Sequence, residues 1–470
     1  MTLRLFEQIL GASSDSSGTP PMELIKVEVG RHRARLTVRD AWSLKRNHET
    51  SVVTPRVVVT GLGVASPIGI GLGRFWKAAL AGLSGVSPIS AFEGLPMDAY
   101  RSRVAGQIHD FNAAQYVEGP YVERVDRYAQ FAMVATKEAV ADSGLRLDRE
   151  NPHRIGTMVG AGMGGMLIAE QEYHRVYQNL RPNRVTPNFI PSVTLNSASG
   201  VLAIMCGAKG PNLTISTACS SSAHAIGLAL GAIRTGQTDV GIVAGADASI
   251  VPLTFAGFCT LRALSTNFND SPDKASRPFS QTRDGFVMGE GAGALILESL
   301  PHARKRKARI YAEIAGYAAT SEAYHMVIPR EDGVEISVTM AMALRSAGLR
   351  PAQVDYINAH ATSTTIGDAV EIKAIKHLFK SRATRIPISA TKSLFGHTLG
   401  AAGALAGIIC AMTLDTGQIH PTINYDDPDP DCALPGISTQ AQERPVKVAL
   451  LNAFGFGSNN AAVVFKKFMR

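Results

Sequence analysis

The chain has 470 residues, 45% of them hydrophobic, with a mean hydropathy of +0.06 and a net charge of +8 from 47 basic and 39 acidic side chains. This excludes a disordered tail or a membrane bundle, and it gives enough chain to bury a sizeable core. The positive excess is not concentrated in one arm, which argues against a dedicated nucleic-acid binder.

Abundant glycine (44) and few aromatics (6%) favour close-packed α/β layers. The five cysteines, at 206, 219, 259, 410 and 432, are odd in number and form no CxxC pair. Neither a disulfide framework nor a zinc site follows from them, and a reducing, cytoplasmic setting is expected.

Residues 1–54 differ from the rest. They carry Ser-Ser, Pro-Pro and the cluster Arg31, Arg33, Arg35 and Arg39. No apolar segment follows a basic start, so a secretory signal is not indicated. The acids Glu7, Asp15, Glu23, Glu28, Asp40 and Glu49 disfavour an organellar transit peptide. A poorly ordered extension is expected.

From Arg56 the texture changes. Short apolar runs predict strands at 57–61, 155–159, 213–217, 240–244 and 294–297, with helices at 128–143 and 223–234. After the basic stretch 304–309 the pattern restarts, with strands predicted at 310–314, 354–359, 386–390, 446–453 and 461–465. Such alternation predicts α/β layers with mainly parallel sheets, in two similar halves at 55–305 and 306–470. The apolar run 399–414 is short for a membrane span and holds Gly403-x-x-x-Gly407, so a buried, tightly packed helix is expected rather than a span.

Cys219, in Thr217-Ala218-Cys219-Ser220-Ser221-Ser222, falls between a predicted strand and a predicted helix. That placement suits a nucleophile exposed on a tight turn, with a helix N-terminus lowering the thiol pKa. A small buried hydrophobe is the alternative. His360 and His397 each lie where a strand gives way to a polar or glycine-bearing loop, the usual place for α/β sites. Lys392, Asp368 and Glu371 could join them as a buried charge network or sit as solvated ion pairs of little energetic consequence.

Gly160-Ala161-Gly162-Met163-Gly164-Gly165 lacks the Lys-Ser/Thr ending of a phosphate loop, and Gly61-Leu62-Gly63 lacks the third glycine of a dinucleotide fingerprint. Gly289 to Gly293 reads as a close approach of backbones. The acidic turn Asp426-Asp427-Pro428-Asp429 is read as a solvated loop rather than a cation site.

Taken together, the segments VVVTGLGVASPIG, TACSSSAHAIG, RPFSQTRDGFVMGEGAGALILE, YINAHATSTTIGD, SATKSLFGHTLGAAGAL and NAFGFGSNN, in that order, resemble the elongating β-ketoacyl-acyl-carrier-protein synthases of the thiolase-like superfamily, over residues 55–470. The resemblance implies a five-layer α/β/α/β/α sandwich of two similar halves and a homodimer. It implies a type II acyltransferase of fatty acid synthesis, without cofactor, metal or membrane span, whose acyl and malonyl substrates ride on the phosphopantetheine of acyl carrier protein.

Residue by residue, it implies a catalytic triad of Cys219, His360 and His397. Lys392, Glu371 and Asp368 would organise the histidines. The N–H groups of Cys219 and Phe456 would form an oxyanion hole, Phe454 and Phe456 a gating loop, Thr362 and Thr364 contacts to the pantetheine, and Met163 the floor of the acyl pocket. Arg124 and Arg127 match a basic region beside the entrance.

The usual GFGG reads Gly455-Phe456-Gly457-Ser458 here, and Phe395 replaces a commonly smaller or polar residue, departures that bear on loop closure and pocket shape. Two other readings stay open: a specialised polyketide or modified-acyl ketosynthase, and a non-catalytic chain-length-determining partner, which would lack the nucleophilic cysteine.

Overall fold

The computed structural model describes residues 54–469, apart from 91, 93 and 94. The extension expected over 1–54 therefore lies almost entirely outside the described residues. In the first half, the main path of the large sheet takes five strands, in chain order β1 (Val57–Ser66), β2 (Ile155–Gly160), β3 (Asn212–Ile215), β4 (Val240–Asp247) and β5 (Gly291–Ser299). They pair in the order β3-β2-β4-β5-β1.

The second half repeats this with β6 (Ala312–Ser321), β7 (Tyr356–Asn358), β8 (Ile388–Ser389), β9 (Val448–Gly455) and β10 (Asn459–Lys466), in the order β8-β7-β9-β10-β6. The two blocks meet where Val57–Val59 of β1 pair antiparallel with β6.

The sheets are mixed, which corrects the expectation of mainly parallel pairing. Helical crossovers leave β2, β3 and β4 parallel, and likewise β7, β8 and β9. β9 and β10, however, are joined by a turn of three residues, too short for a crossover, so they pair antiparallel. β5 runs antiparallel to both β1 and β4.

Five layers result. Helix α1 (Arg127–Ser143) covers the outer face of the first sheet, and its backbone passes so close that a Cβ on Gly63 would lie 2.0 Å from the carbonyl of Ala135. Between the sheets lie α2 (Ser221–Arg234) and, from the second half, the later of the two central helices, Ala402–Thr416. The outer face of the second sheet carries α3 (Val334–Ser346) and α4 (Thr365–Phe379). The central helix Ala402–Thr416, here α5, is Ala/Gly-rich because both sheets and α2 crowd it: a Cβ on Gly403 would lie 2.6 Å from the amide nitrogen of Ala223.

The apolar stretch Leu399–Thr416 has the length and hydropathy of a membrane span, yet 89% of it is buried inside the protein. The close approach expected at Gly289 to Gly293 is present, since a Cβ on Gly291 would meet the Ala65 carbonyl at 2.5 Å.

Candidate active site

The loops at the C-terminal ends of β2, β3, β7 and β9 line one cavity of about 380 Å³. Cys219 lies between β3 and α2. The preceding residue, Ala218, takes φ 51°, a left-handed conformation that non-glycine residues rarely hold. Ser221 stabilises it by accepting from the Thr217 amide (2.9 Å) and donating to the Ala218 carbonyl (2.6 Å). The result is a sharp strand-to-helix turn that presents the thiol to the cavity. Gly455 comes so close that a Cβ there would stand 2.4 Å from the Thr217 carbonyl. That glycine lets the Phe454–Gly457 loop press against the nucleophile turn.

His360 follows β7, and His397 follows the short helix Lys392–Phe395. Their rings sit perpendicular with centroids 5.5 Å apart, and both line the cavity with Cys219. Phe454 packs on His360 (5.4 Å) and Phe286 on His397 (5.5 Å). Neither ring nitrogen of His397 has a protein partner. Buried polar atoms are normally paired, so an unpartnered imidazole facing a cavity is a group available to a substrate.

The Lys392 ammonium donates to the His360 carbonyl and lies 3.5 Å from His360 Nδ1. An ammonium facing Nδ1 leaves that nitrogen as an acceptor and Nε2 as the N–H. Glu371 accepts from the His360 and Ala361 amides at 2.9 and 2.8 Å and from Asn452 at 2.9 Å. Asp368 accepts from the amides of Ser363 (3.1 Å) and Phe279 (2.9 Å), with Arg283 at 3.9 Å. Lys392, Glu371 and Asp368 are all buried, so the solvated ion-pair alternative does not hold.

Burial dominates the electrostatics. It pushes the Cys219 thiol up to about 12, against the opposing pull of the Lys392 charge and the Phe456 and Cys219 backbone N–H groups. The lowered thiol pKa expected from the helix N-terminus is thus corrected: desolvation of the charged form outweighs those favourable groups. Burial, then the nearby Lys392, holds both histidines well below the ordinary imidazole range, and therefore neutral. Lys392 itself falls to about 8 for the same reason.

Thr362 and Thr364 line the cavity with their hydroxyls 3.0 Å apart, and Met163, Phe454 and Phe456 line it too. Other expected positions fall elsewhere. Arg127 is tied to buried Glu290 at 2.7 Å and to the Ile108 carbonyl, so it is not a free docking cation. Phe395 packs on Phe75 in the core, away from the cavity, so this departure does not shape the pocket. In the acidic turn, Asp429 pairs with buried Arg283 at 2.5 Å rather than standing in solvent.

Asp247, Asn452 and Arg283 were not singled out from sequence. Asp247 had a signal, being a carboxylate that ends an apolar strand, Val240–Asp247. Arg283 and Asn452 had none apart from the motifs that contain them.

Two family models match in order: β-ketoacyl synthase N-terminal domain over 54–303 and C-terminal domain over 311–426. The 3-oxoacyl-[acyl-carrier-protein] synthase 2 of Coxiella burnetii is 41% identical over 88% of this chain and 98% of its own. The proteins of that name from Synechocystis and Staphylococcus aureus are 42% identical over the same shares.

Among solved structures, a type II polyketide ketosynthase in complex with its acyl-carrier protein and bound to a hexaketide aligns with TM-score 0.82 at 35% identity, over 88% of this chain and all of its own. A β-ketoacyl synthase from Burkholderia phymatum aligns with TM-score 0.82 at 31% identity, with the same coverage. Matched over 54–303 and 311–426 by the two family models and over 88% of its length by these relatives, the chain belongs to the β-ketoacyl synthase family, as a condensing acyltransferase of its elongating type II branch.

Proposed function

We propose that this protein is a 3-oxoacyl-[acyl-carrier-protein] synthase that lengthens fatty acyl chains by two carbons, with Cys219, His360 and His397 as its catalytic groups. The observation that carries this reading is the convergence of one thiol and two neutral imidazoles, one of them unpartnered, on a single cavity.

The Cys219 thiol adds to the thioester carbonyl of an acyl carrier, and its proton passes to the carrier sulfur as the C–S bond to the carrier breaks. The N–H groups of Cys219 and Phe456 stabilise the oxyanion, and the carrier thiol leaves with the proton. Both N–H groups favour a negative charge at this position, since both pull the Cys219 thiol pKa down. Malonyl carrier then loses CO2, and the electron pair of that C–C bond becomes an enolate that accepts hydrogen bonds from His360 Nε2 and His397. The carbanion attacks the acyl-Cys carbonyl; the new C–C bond forms as the C–S bond to Cys219 breaks, and the released thiolate takes a proton from water to regenerate the thiol. The electrons come from the broken malonyl bond, so the scheme calls on no redox or nucleotide cofactor. Lys392, Glu371 and Asp368 position the His360 loop. Thr362 and Thr364 take the pantetheine, Phe454 and Phe456 gate entry, and Met163 meets the acyl chain.

The two halves are proposed to divide at 305/306. A homodimer is part of this reading, supported by β3, which ends its sheet with an unpaired edge and exposed Leu213. All five cysteines are buried free thiols, which supports a cytoplasmic location.

The test supplies purified protein with malonyl carrier and a panel of acyl carriers, and follows Cys219 mass and 3-oxoacyl product by intact mass spectrometry. The wild type is expected to give both, and Cys219→Ser neither the acyl-thioester adduct nor condensation. Normal condensation by Cys219→Ser would overturn the mechanism. No acylation with any saturated chain would favour a specialised acyl substrate or the non-catalytic partner.

A further inference from the structure

The glycine-rich segment Gly160–Gly165 has no phosphate-loop ending, and the reaction above uses it only for Met163. Its amides nonetheless converge on an anion. That anion is Asp247, the fully buried last residue of β4. Asp247 Oδ2 accepts from the Gly162 amide at 2.8 Å and the Gly400 amide at 2.6 Å, and Oδ1 accepts from the Met163 amide at 3.0 Å.

Successive backbone N–H groups in a glycine turn form an anion cradle. Here the chain supplies its own carboxylate. The fit leaves no room for side chains. A Cβ on Gly162 would stand 2.8 Å from Asp247 Oδ2, and one on Gly400 would stand 2.6 Å from the same oxygen and 2.3 Å from the Gly162 nitrogen. Among the described residues, no basic side chain forms an ion pair with Asp247. Its negative charge is held by backbone amides alone, apart from a long contact with Ser249 at 3.5 Å.

The two loops joined in this way serve different parts of the cavity. One carries Met163, beside Cys219. The other carries His397, three residues before Gly400, and Leu399, which also lines the cavity and takes φ 47°. A single carboxylate therefore sets the distance between the acyl-facing floor and the histidine loop.

We propose that Asp247 is a positioning residue that locks the Met163 floor to the His397 loop, so that acyl chain length and the coupling of malonyl decarboxylation to condensation are set together. The inference rests on the reaction proposed above. Asp247→Asn keeps the volume but turns an NH2 group toward amides that need an acceptor.

The experiment measures, for wild type and D247N, the rate of Cys219 acylation and the ratio of 3-oxoacyl product to CO2 released, across short to long acyl carriers. In D247N, acylation by short chains is expected within about threefold of wild type. The product-to-CO2 ratio is expected to fall at least fivefold, and the chain length at which acylation fails to shift by two carbons or more. Gly400→Ala, which forces the same contact apart from the histidine side, is expected to lower the ratio likewise, and it serves if D247N does not accumulate.

An equal loss of both half-reactions at every chain length would make Asp247 merely structural and overturn the inference, as would variants that match wild type. A wild type that is never acylated would overturn the reaction reading, and this inference with it. A competent wild type with either of the former results overturns this inference alone.

Discussion

Lys392 stands among groups that burial drives toward neutrality: the Cys219 thiol, the two imidazoles and the carboxylates of Glu371 and Asp368. Its charge is the largest influence that opposes desolvation of the Cys219 thiolate. Lys392→Met removes that charge while keeping the apolar stem. The thiol pKa is then expected to rise further, so iodoacetamide alkylation of Cys219 at pH 8 should slow about tenfold, one pKa unit corresponding to about 1.4 kcal/mol. An unchanged alkylation profile would show that the ammonium does not act on the thiol.

At this scale much was legible. A cysteine and two histidines at strand ends could be read from the alternation of apolar runs and polar loops. The sign of the thiol shift was not, because it depends on how completely the third dimension removes water from the sulfur.

At the scale of elements, the helix predicted at 128–143 forms over Arg127–Ser143, and the strand predicted at 155–159 over Ile155–Gly160. Asp126 caps the former by accepting from the Tyr128 amide at 3.2 Å, and Gly144 ends it in the left-handed conformation. These signals are local, which is why sequence carries them. Strand direction is mostly not local: β5 runs antiparallel to β1 and β4 because of partners far away in the chain, whereas the β9–β10 hairpin follows from its short turn.

One such non-local junction makes a pH prediction. At the end of β5, buried Glu298 binds His302 (2.6 Å), Arg306 and Thr60, and His302 also reaches Glu150 at 3.0 Å. These carboxylates raise the His302 imidazole to about 9. A cation whose folded pKa is raised contributes stability in full below its unfolded value of about 6.5, and loses it as pH rises through 9. His302→Gln is therefore expected to melt several degrees below wild type at pH 6, with the gap closing by pH 10. Calorimetry across that range would show it, and a gap independent of pH would mean that packing, not charge, is responsible.

For the whole molecule, the two halves share one core through α2 and α5. Gly403 lies against the Ala223 amide and the Ser222 hydroxyl, which also accepts from the Ala404 amide at 2.8 Å. Gly403→Ala must push the two helices apart, so a loss of about 1–3 kcal/mol in urea unfolding is expected. Full retention of stability would show that the central layer can give way without cost.

By itself the sequence determined the layered α/β class, the duplicated strand pattern, the buried nature of the Leu399–Leu414 run and the positions of Cys219, His360 and His397, because periodicity, turn residues and strand-end placement are written within a few residues of each site. What only the tertiary structure decided was the pairing direction of the strands, the capture of Arg127 by Glu290, the withdrawal of Phe395 into the core and the burial of Asp247 between two glycine loops. Apart from the β9–β10 hairpin, each of these depends on a partner tens to hundreds of residues away, and the burial of Asp247 on desolvation that no local pattern records.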